Sequence, residues 1–244
     1  MKILLCGACG RMGREVASLA GEKIVCGVDR APSSMPFPVY ASFAEVREDI
    51  DVLIDFSSAE ELEERLAFCA SHGIPAVLGA TGYSEADLDL IKRYSERIAI
   101  FKTGNLSVGV NLLQLLVKKA AEALGEDFDV EIIERHHNQK KDAPSGTALM
   151  LAESASIGSG GVVCGRHGIT GPRKKGEIGI HAVRGGTIVG EHEVSFIGED
   201  EIVTLAHSAR SRRVFASGAL KAAVWLLGKP AGLYDMNDML IGIV

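Results

Sequence analysis

Apolar residues come in short unbroken runs early in the chain, with helical spacing between the runs. Lys2–Cys6 opens with such a run, as a strand buried on both faces of a sheet would. Met12, Val16, Leu19 and Ala20 then share one face of a helix, and Lys23–Val28 reads as a second strand. Asp51–Phe56 predicts a strand, Ala59–His72 a helix, Pro75–Leu78 a strand, Ser84–Arg97 a helix capped by Ser84, and Ile98–Phe101 a fifth strand. Strict alternation of strand and helix predicts an α/β unit with a doubly wound, Rossmann-like parallel sheet.

The pattern changes after about residue 106. An apolar helix, Val108–Leu124, stops at Gly125, and Asp129–Glu134 follows as a strand. A helix beginning near Ser145 leads into glycine-rich chain. Strand-like runs follow at Glu177–Val183, Thr187–Val189, His192–Phe196 and Ile202–Ala206. They predict a smaller α+β unit built on an antiparallel or mixed sheet. From Val214 helical spacing returns until Gly228 and Pro230, as for a helix that packs back on the first unit. Two domains are expected: residues 1–106 with 214–244, and residues 107–213 between them.

Composition narrows the function. The chain has 244 residues, 47% hydrophobic and 24% charged, with a net charge of −6. That is ordinary globular composition, and the charge favours neither nucleic acid nor an anionic membrane as partner. No run approaches the length of a membrane span, and the N-terminal apolar run is too short for a secretory signal. We expect a cytoplasmic protein. The five cysteines, an odd number, are expected to be reduced. Cys6 and Cys9 have redox-pair or zinc spacing but no second pair, so no metal site is expected and Cys6 reads as a small buried residue.

Gly7-Ala8-Cys9-Gly10-Arg11-Met12-Gly13 joins the first strand to its helix, and Asp29 ends the second strand. That order fits a dinucleotide site. Glycines let the backbone approach a pyrophosphate, the helix start offers N–H groups, and the carboxylate accepts from ribose hydroxyls. Arg30 could meet a 2′-phosphate while Asp29 favours the free diol, so NADH or NADPH are both candidates. The loops Phe56–Ser58, Gly79–Thr81 and Thr103–Leu106 fall at the strand ends where ligands of such sheets lie.

The stretch Glu134–Ala148, ERHHNQKKDAPSGTA, gathers the remaining chemistry. Ser145 is a natural cap, and the first N–H groups of its helix can hold an anion. Lys140 adds charge, and His136 and His137 add ring donors that titrate near neutrality. Adjacent residues on a strand face opposite ways, which argues against a metal shared by the two histidines. Joined to a hydride source, the cluster suggests a reductase of a small, anionic, unsaturated compound.

HHNQKKDAPSGTA resembles the signature H-H-x-x-K-x-D-A-P-S-G-T-A of the 4-hydroxy-tetrahydrodipicolinate reductase family. GACGRMG, GATG, NLSVGVN, GEHEVSF and GLYDMNDML resemble that family in the same order. The resemblance implies NADH- or NADPH-dependent reduction of a cyclic dicarboxylate with loss of water, on the diaminopimelate route to lysine. Hydride would go to the ring carbon that bore the hydroxyl. His136 would be the proton donor, Lys140 would support it, and His137, Ser145, Gly146 and Thr147 would contact the dicarboxylate. Gly7, Ala8, Cys9, Gly10, Arg11, Met12, Asp29, Arg30, Gly79, Ala80, Thr81, Thr103, Gly104, Asn105 and Leu106 would hold the cofactor. The resemblance also implies a homotetramer joined through the second-domain sheets. Cys9 and Ala80 depart from the family's usual glycine and threonine. Arg210, Arg212 and Arg213 read as solvated or inter-subunit charges, with a place beside the cofactor as the alternative, and His167, His181, His192 and His207 as structural. Two alternatives stay open: another two-domain amino-acid or aldehyde dehydrogenase, and a non-catalytic NAD(H)-binding redox sensor.

Overall fold

The structure, a computed structural model, describes residues 1–157 and 160–240. They divide into two compact units, Met1–Val108 with Arg212–Val244, and Gly109–Ser211.

The first unit holds seven parallel strands: β1 (Ile3–Cys6), β2 (Ile24–Val28), β3 (Val39–Tyr40), β4 (Val52–Asp55), β5 (Ala76–Leu78), β6 (Ala99–Lys102) and β12 (Gly232–Tyr234). Their order is β12-β6-β5-β4-β1-β2-β3. The winding reverses between β1 and β4, which pair directly, Ile3 beside Val52 and Cys6 beside Asp55. Ligands of doubly wound sheets sit at that reversal.

The unbroken apolar runs exist because both faces of this sheet are covered. Ile3, Leu5, Ile54, Val77 and Phe101 pack on one face with α1 (Arg11–Ala20) and α6 (Arg213–Leu226). Leu4, Cys6, Leu53, Leu78 and Ile100 pack on the other with α2 (Leu62–His72) and α3 (Glu85–Ser95). Each fully buried Leu or Ile contributes about 1.5–3 kcal/mol through loss of apolar surface from water. The α2 helix starts three residues later than periodicity suggests, because Glu61 at its N-cap is left-handed, with φ +60°.

The second unit holds α4 (Val108–Leu124, its first residue assigned to the first unit), β7 (Asp129–His136), α5 (Gly146–Ala155), β8 (Val162–Cys164), β9 (Ile178–Arg184), β10 (Gly190–Ile197) and β11 (Ile202–Ala209). The sheet order is β11-β10-β7-β9-β8. β10 is antiparallel to β7 and β11, while β7 and β8 run parallel to β9, so the sheet is mixed. Leu113 and Val117 of α4 and Ala148 and Leu151 of α5 cover one face, against Val130, Ile132, Ile180, Val194 and Phe196.

Two boundaries differ from the sequence reading. Thr187–Val189 is turn and irregular chain, not strand, and β10 begins at Gly190. β7 runs on past Glu134 to His136, because its ladder with β9 continues through Arg135 beside Val183 and His136 beside Arg184, with Glu134 and His136 on the buried face. A short helix, α7 (Met236–Leu240), closes the described chain. Among the described residues no helix is long and apolar enough to cross a membrane.

Candidate active site

β7 alternates strictly, with Val130, Ile132, Glu134 and His136 buried. Glu134 therefore lies on the same face as two core residues, fully buried. A carboxylate there is costly unless it is paired and hydrogen-bonded. Arg184 of β9 supplies both, donating from Nη1 to Oε2 at 2.7 Å and from Nη2 to Oε1 at 2.8 Å. The Ser145 N–H adds a donor to Oε1 at 2.9 Å, and His136 Nδ1 lies 2.6 Å from Oε2. Burial alone would raise the Glu134 carboxyl; Arg184, His136 and the Ser145 N–H outweigh it and hold the group below the usual carboxylate range.

A carboxylate only accepts, so His136 Nδ1 carries its proton toward Glu134. Nε2 is then the ring nitrogen left to exchange a proton elsewhere. Gly190 leaves room for it, since a Cβ at that position would stand 3.0 Å from Nε2. The His136 and His192 rings meet edge to face at 5.2 Å. Burial, then the neighbouring His136, push the His192 imidazole down to about 4, so it is neutral at neutral pH. Its Nε2 lies 3.1 Å from Ser145 Oγ.

Ser145 caps α5 as the sequence predicts, its Oγ accepting from the Ala148 N–H at 3.2 Å. Glu134 and the Ser145 side chain thus occupy the N–H groups on either side of Gly146 and Thr147, which form the helix mouth. Gly146 is exposed and Thr147 half-buried. Lys140 is half-buried, with Nζ 2.9 Å from the Asp142 carboxylate. His137 lies just past the end of β7 and is half-buried. In this unit the structure joins His136, Lys140, Ser145, Gly146 and Thr147 in one stretch. It adds Glu134 and Arg184, which sequence reasoning passed over, and His192, which it read as structural. Glu134 was legible in principle, because a residue two before His136 on a strand shares its face.

In the first unit, Gly7 has φ +69°, and a Cβ there would lie 2.7 Å from the Phe56 carbonyl oxygen. At Gly13 a Cβ would lie 2.2 Å from Gly7 O, so glycine lets α1 press on the loop. The α1 N-cap is Gly10, with no side-chain cap and no acidic residue in the first turn. These features suit a pyrophosphate. Gly7, Gly10, Asp29 and Arg30 line a cavity of about 330 Å³ with Phe56, Ser57, Ser58 and Arg65. Met12, Gly79, Thr81, Thr103, Gly104, Asn105 and Leu106 line a second, of about 350 Å³, with Phe56 and Phe215. Phe56 belongs to both.

Ala8, Cys9, Arg11 and Ala80 line neither cavity. Ala8 and Ala80 are buried; Arg11 is exposed. Cys9 turns its sulfur toward the Ser33 N–H, at 3.3 Å, while its own N–H donates to Asp29 Oδ2 at 2.9 Å. Asp29 also accepts from the Ala31 N–H at 3.0 Å. The carboxylate thus pins the glycine loop and keeps lone pairs for a ribose. Arg30 pairs with the Glu60 carboxylate on the surface. Buried Asp55, 3.0 Å from buried Arg65, accepts from Ser57 N at 2.9 Å. Arg65 in turn donates to Ser58 O and Glu60 O, fixing the wall of the first cavity. Burial pushes the Cys6 thiol far up, so it is an inert core residue. Among the described residues no group of three or more His, Cys, Asp or Glu could hold a metal ion.

Comparison with known proteins accounts for both units. The family description "Dihydrodipicolinate reductase, N-terminus" matches residues 1–106, and "Dihydrodipicolinate reductase, C-terminus" matches residues 109–240. A 4-hydroxy-tetrahydrodipicolinate reductase of Caldanaerobacter subterraneus subsp. tengcongensis is 48% identical over 98% of each chain. The protein of that name from Caulobacter vibrioides is 46% identical over 98% of this chain and 97% of its own. A solved dipicolinate-bound dihydrodipicolinate reductase from Paenisporosarcina sp. TG-14 shares the fold, with a TM-score of 0.78 at 24% identity, over 100% of this chain and 99% of its own. An aspartate dehydrogenase from Thermotoga maritima shares it more loosely, at 0.53 and 13%, over 94% of this chain and 97% of its own. Both halves of the chain, with their glycine loop and their Glu134–His136 strand, belong to the dihydrodipicolinate reductase family.

Proposed function

We propose that the protein reduces 4-hydroxy-tetrahydrodipicolinate to tetrahydrodipicolinate with loss of water, using NADH or NADPH, in diaminopimelate and lysine biosynthesis. The observation that carries this reading is the cationic turn Lys140–Thr147, built beside a histidine whose Nδ1 is fixed by a buried carboxylate. The bound cofactor supplies hydride. The residues lining the two cavities of the first unit hold it, with Asp29 on the ribose and the uncapped start of α1 on the pyrophosphate.

This chain's own residues do the rest. Lys140 leaves Asp142 to pair with one substrate carboxylate, and the α5 mouth at Gly146 and Thr147 takes the other. His137 and Ser145 border that mouth. The ring hydroxyl and a hydrogen of the neighbouring carbon leave as water, which gives a ring C=C. His136, held through Nδ1 by Glu134, gives the Nε2 proton to that neighbouring carbon as hydride arrives at the carbon that bore the hydroxyl. The proton donated at Nε2 leaves the Nδ1–Glu134 bond intact, so the imidazole keeps its orientation through the step.

A cytoplasmic homotetramer joined through the sheets of the second unit belongs to the same reading; light scattering of the purified protein tests the assembly. Turnover is tested by cofactor absorbance on adding freshly prepared 4-hydroxy-tetrahydrodipicolinate. Rapid oxidation of NADH or NADPH is expected. Tight cofactor binding without turnover would favour a sensor instead.

A further inference from the structure

Arg184 lies at the end of β9, opposite His136 in the sheet register. Its guanidinium makes four hydrogen bonds: Nη1 to Glu134 Oε2 and Val183 O, Nη2 to Glu134 Oε1 and to Asp142 O at 2.7 Å. The Asp142 side chain holds Lys140. One planar group therefore ties the strand that carries His136 to the loop that carries Lys140. That loop has little else to fix it: Asn138, Gln139, Lys141 and Asp142 are exposed, and its backbone bonds include Asn138 N to Gly186 O and Lys140 N to His137 O, both 3.2 Å.

We propose that Arg184 is the positioning residue of the reaction. Through Glu134 it fixes the proton donor His136, and through the Asp142 carbonyl it fixes the distance from that donor to Lys140. The role needs a fork. Arginine can grip both carboxylate oxygens and a carbonyl at once, whereas lysine offers a point charge. Arg184 touches neither substrate nor cofactor in this scheme. The inference rests on the reductase reading for its kinetic arm alone.

The test compares wild type with Arg184→Lys and Arg184→Ala. Arg184→Lys keeps a cation beside Glu134 and removes only the fork. Its kcat is expected to fall at least about tenfold, and that of Arg184→Ala about a hundredfold, the cost of a misplaced group. NADH affinity, measured by titration, is expected to stay unchanged because the cofactor residues lie in the other unit. Low concentrations of guanidinium are expected to restore part of the kcat of Arg184→Ala but none of that of His136→Gln. Amide exchange at Asn138 and Lys140 is expected to rise in both variants while β7 and β9 stay protected. Wild-type kcat in Arg184→Lys, or unchanged exchange in the loop, would overturn the proposal. A wild-type protein without turnover would instead overturn the reductase reading, leaving the exchange measurement to decide on Arg184.

Discussion

Lys140 and Arg30 both meet an acidic partner, and the two pairs have different consequences. Asp142 holds Lys140, and in the proposed reading a substrate carboxylate takes its place. Lys140→Ala is expected to lower kcat/KM about a hundredfold, the scale for a positioned catalytic contact, in steady-state assays with the cyclic dicarboxylate. Turnover close to wild type would remove Lys140 from the mechanism. Glu60 holds Arg30, which lines the first cavity, and in the proposed reading a 2′-phosphate would compete for the guanidinium. Glu60→Gln is expected to tighten NADPH up to about fivefold with little change for NADH, since an exposed ion pair is worth about 0.2–1 kcal/mol. Equal effects on the two cofactors would reject a role for Arg30 in reading the 2′-phosphate. At this scale the motif residues were legible because their types and spacing carry the chemistry. Arg184 and His192 were not, since only the pairing of β9 and β10 with β7 brings them to Glu134.

The α5 helix is where local sequence and site chemistry coincide. Ser145 caps it, bonds His192 through Oγ, and gives its N–H to Glu134. Ser145→Ala removes the two side-chain bonds and leaves the third in place. It is expected to cost about 1–2 kcal/mol in denaturant unfolding, the range for a lost cap. A loss near zero would mean that the cap is dispensable. Helices with clear caps and periodicity were read well: α3 begins after Ser84, and α4 spans Val108–Leu124 as expected. The strands β3, β8 and β12 were missed because they are two or three residues long and carry no fully buried residue, whereas the equally short β5 is an unbroken buried apolar run. Thr187–Val189 misled because its apolar, β-branched composition suits a strand, yet it follows a turn at Gly186, which has φ +49°.

Over the whole molecule, buried titratable groups set the response to acid. His192 is held down to about 4 by burial, so between its ordinary value near 6.5 and about 4 the unfolded chain binds a proton that the folded chain refuses. Stability from this group is full above that window and falls as pH drops through it, by on the order of 3 kcal/mol at the limit. Burial displaces His207, its partner across the β10–β11 pair, in the same direction. Glu134 acts lower: its folded carboxyl is depressed, so its contribution is lost only as pH falls from the unfolded carboxylate value through the folded one. Asp55, raised by burial despite Arg65, works the other way, because the folded state keeps its proton longer. The thermal midpoint is expected to decline from about pH 6.5 toward pH 4 and to decline less in His192→Asn, by circular dichroism. Equal slopes in both proteins would show that His192 does not govern this window.

The most direct test of the reductase assignment follows the hydride itself. With nicotinamide cofactor deuterated at its transferable position, the tetrahydrodipicolinate formed is expected to carry one deuterium, at the ring carbon that bore the hydroxyl. Product without deuterium, deuterium at another carbon, or no product at all would contradict the account.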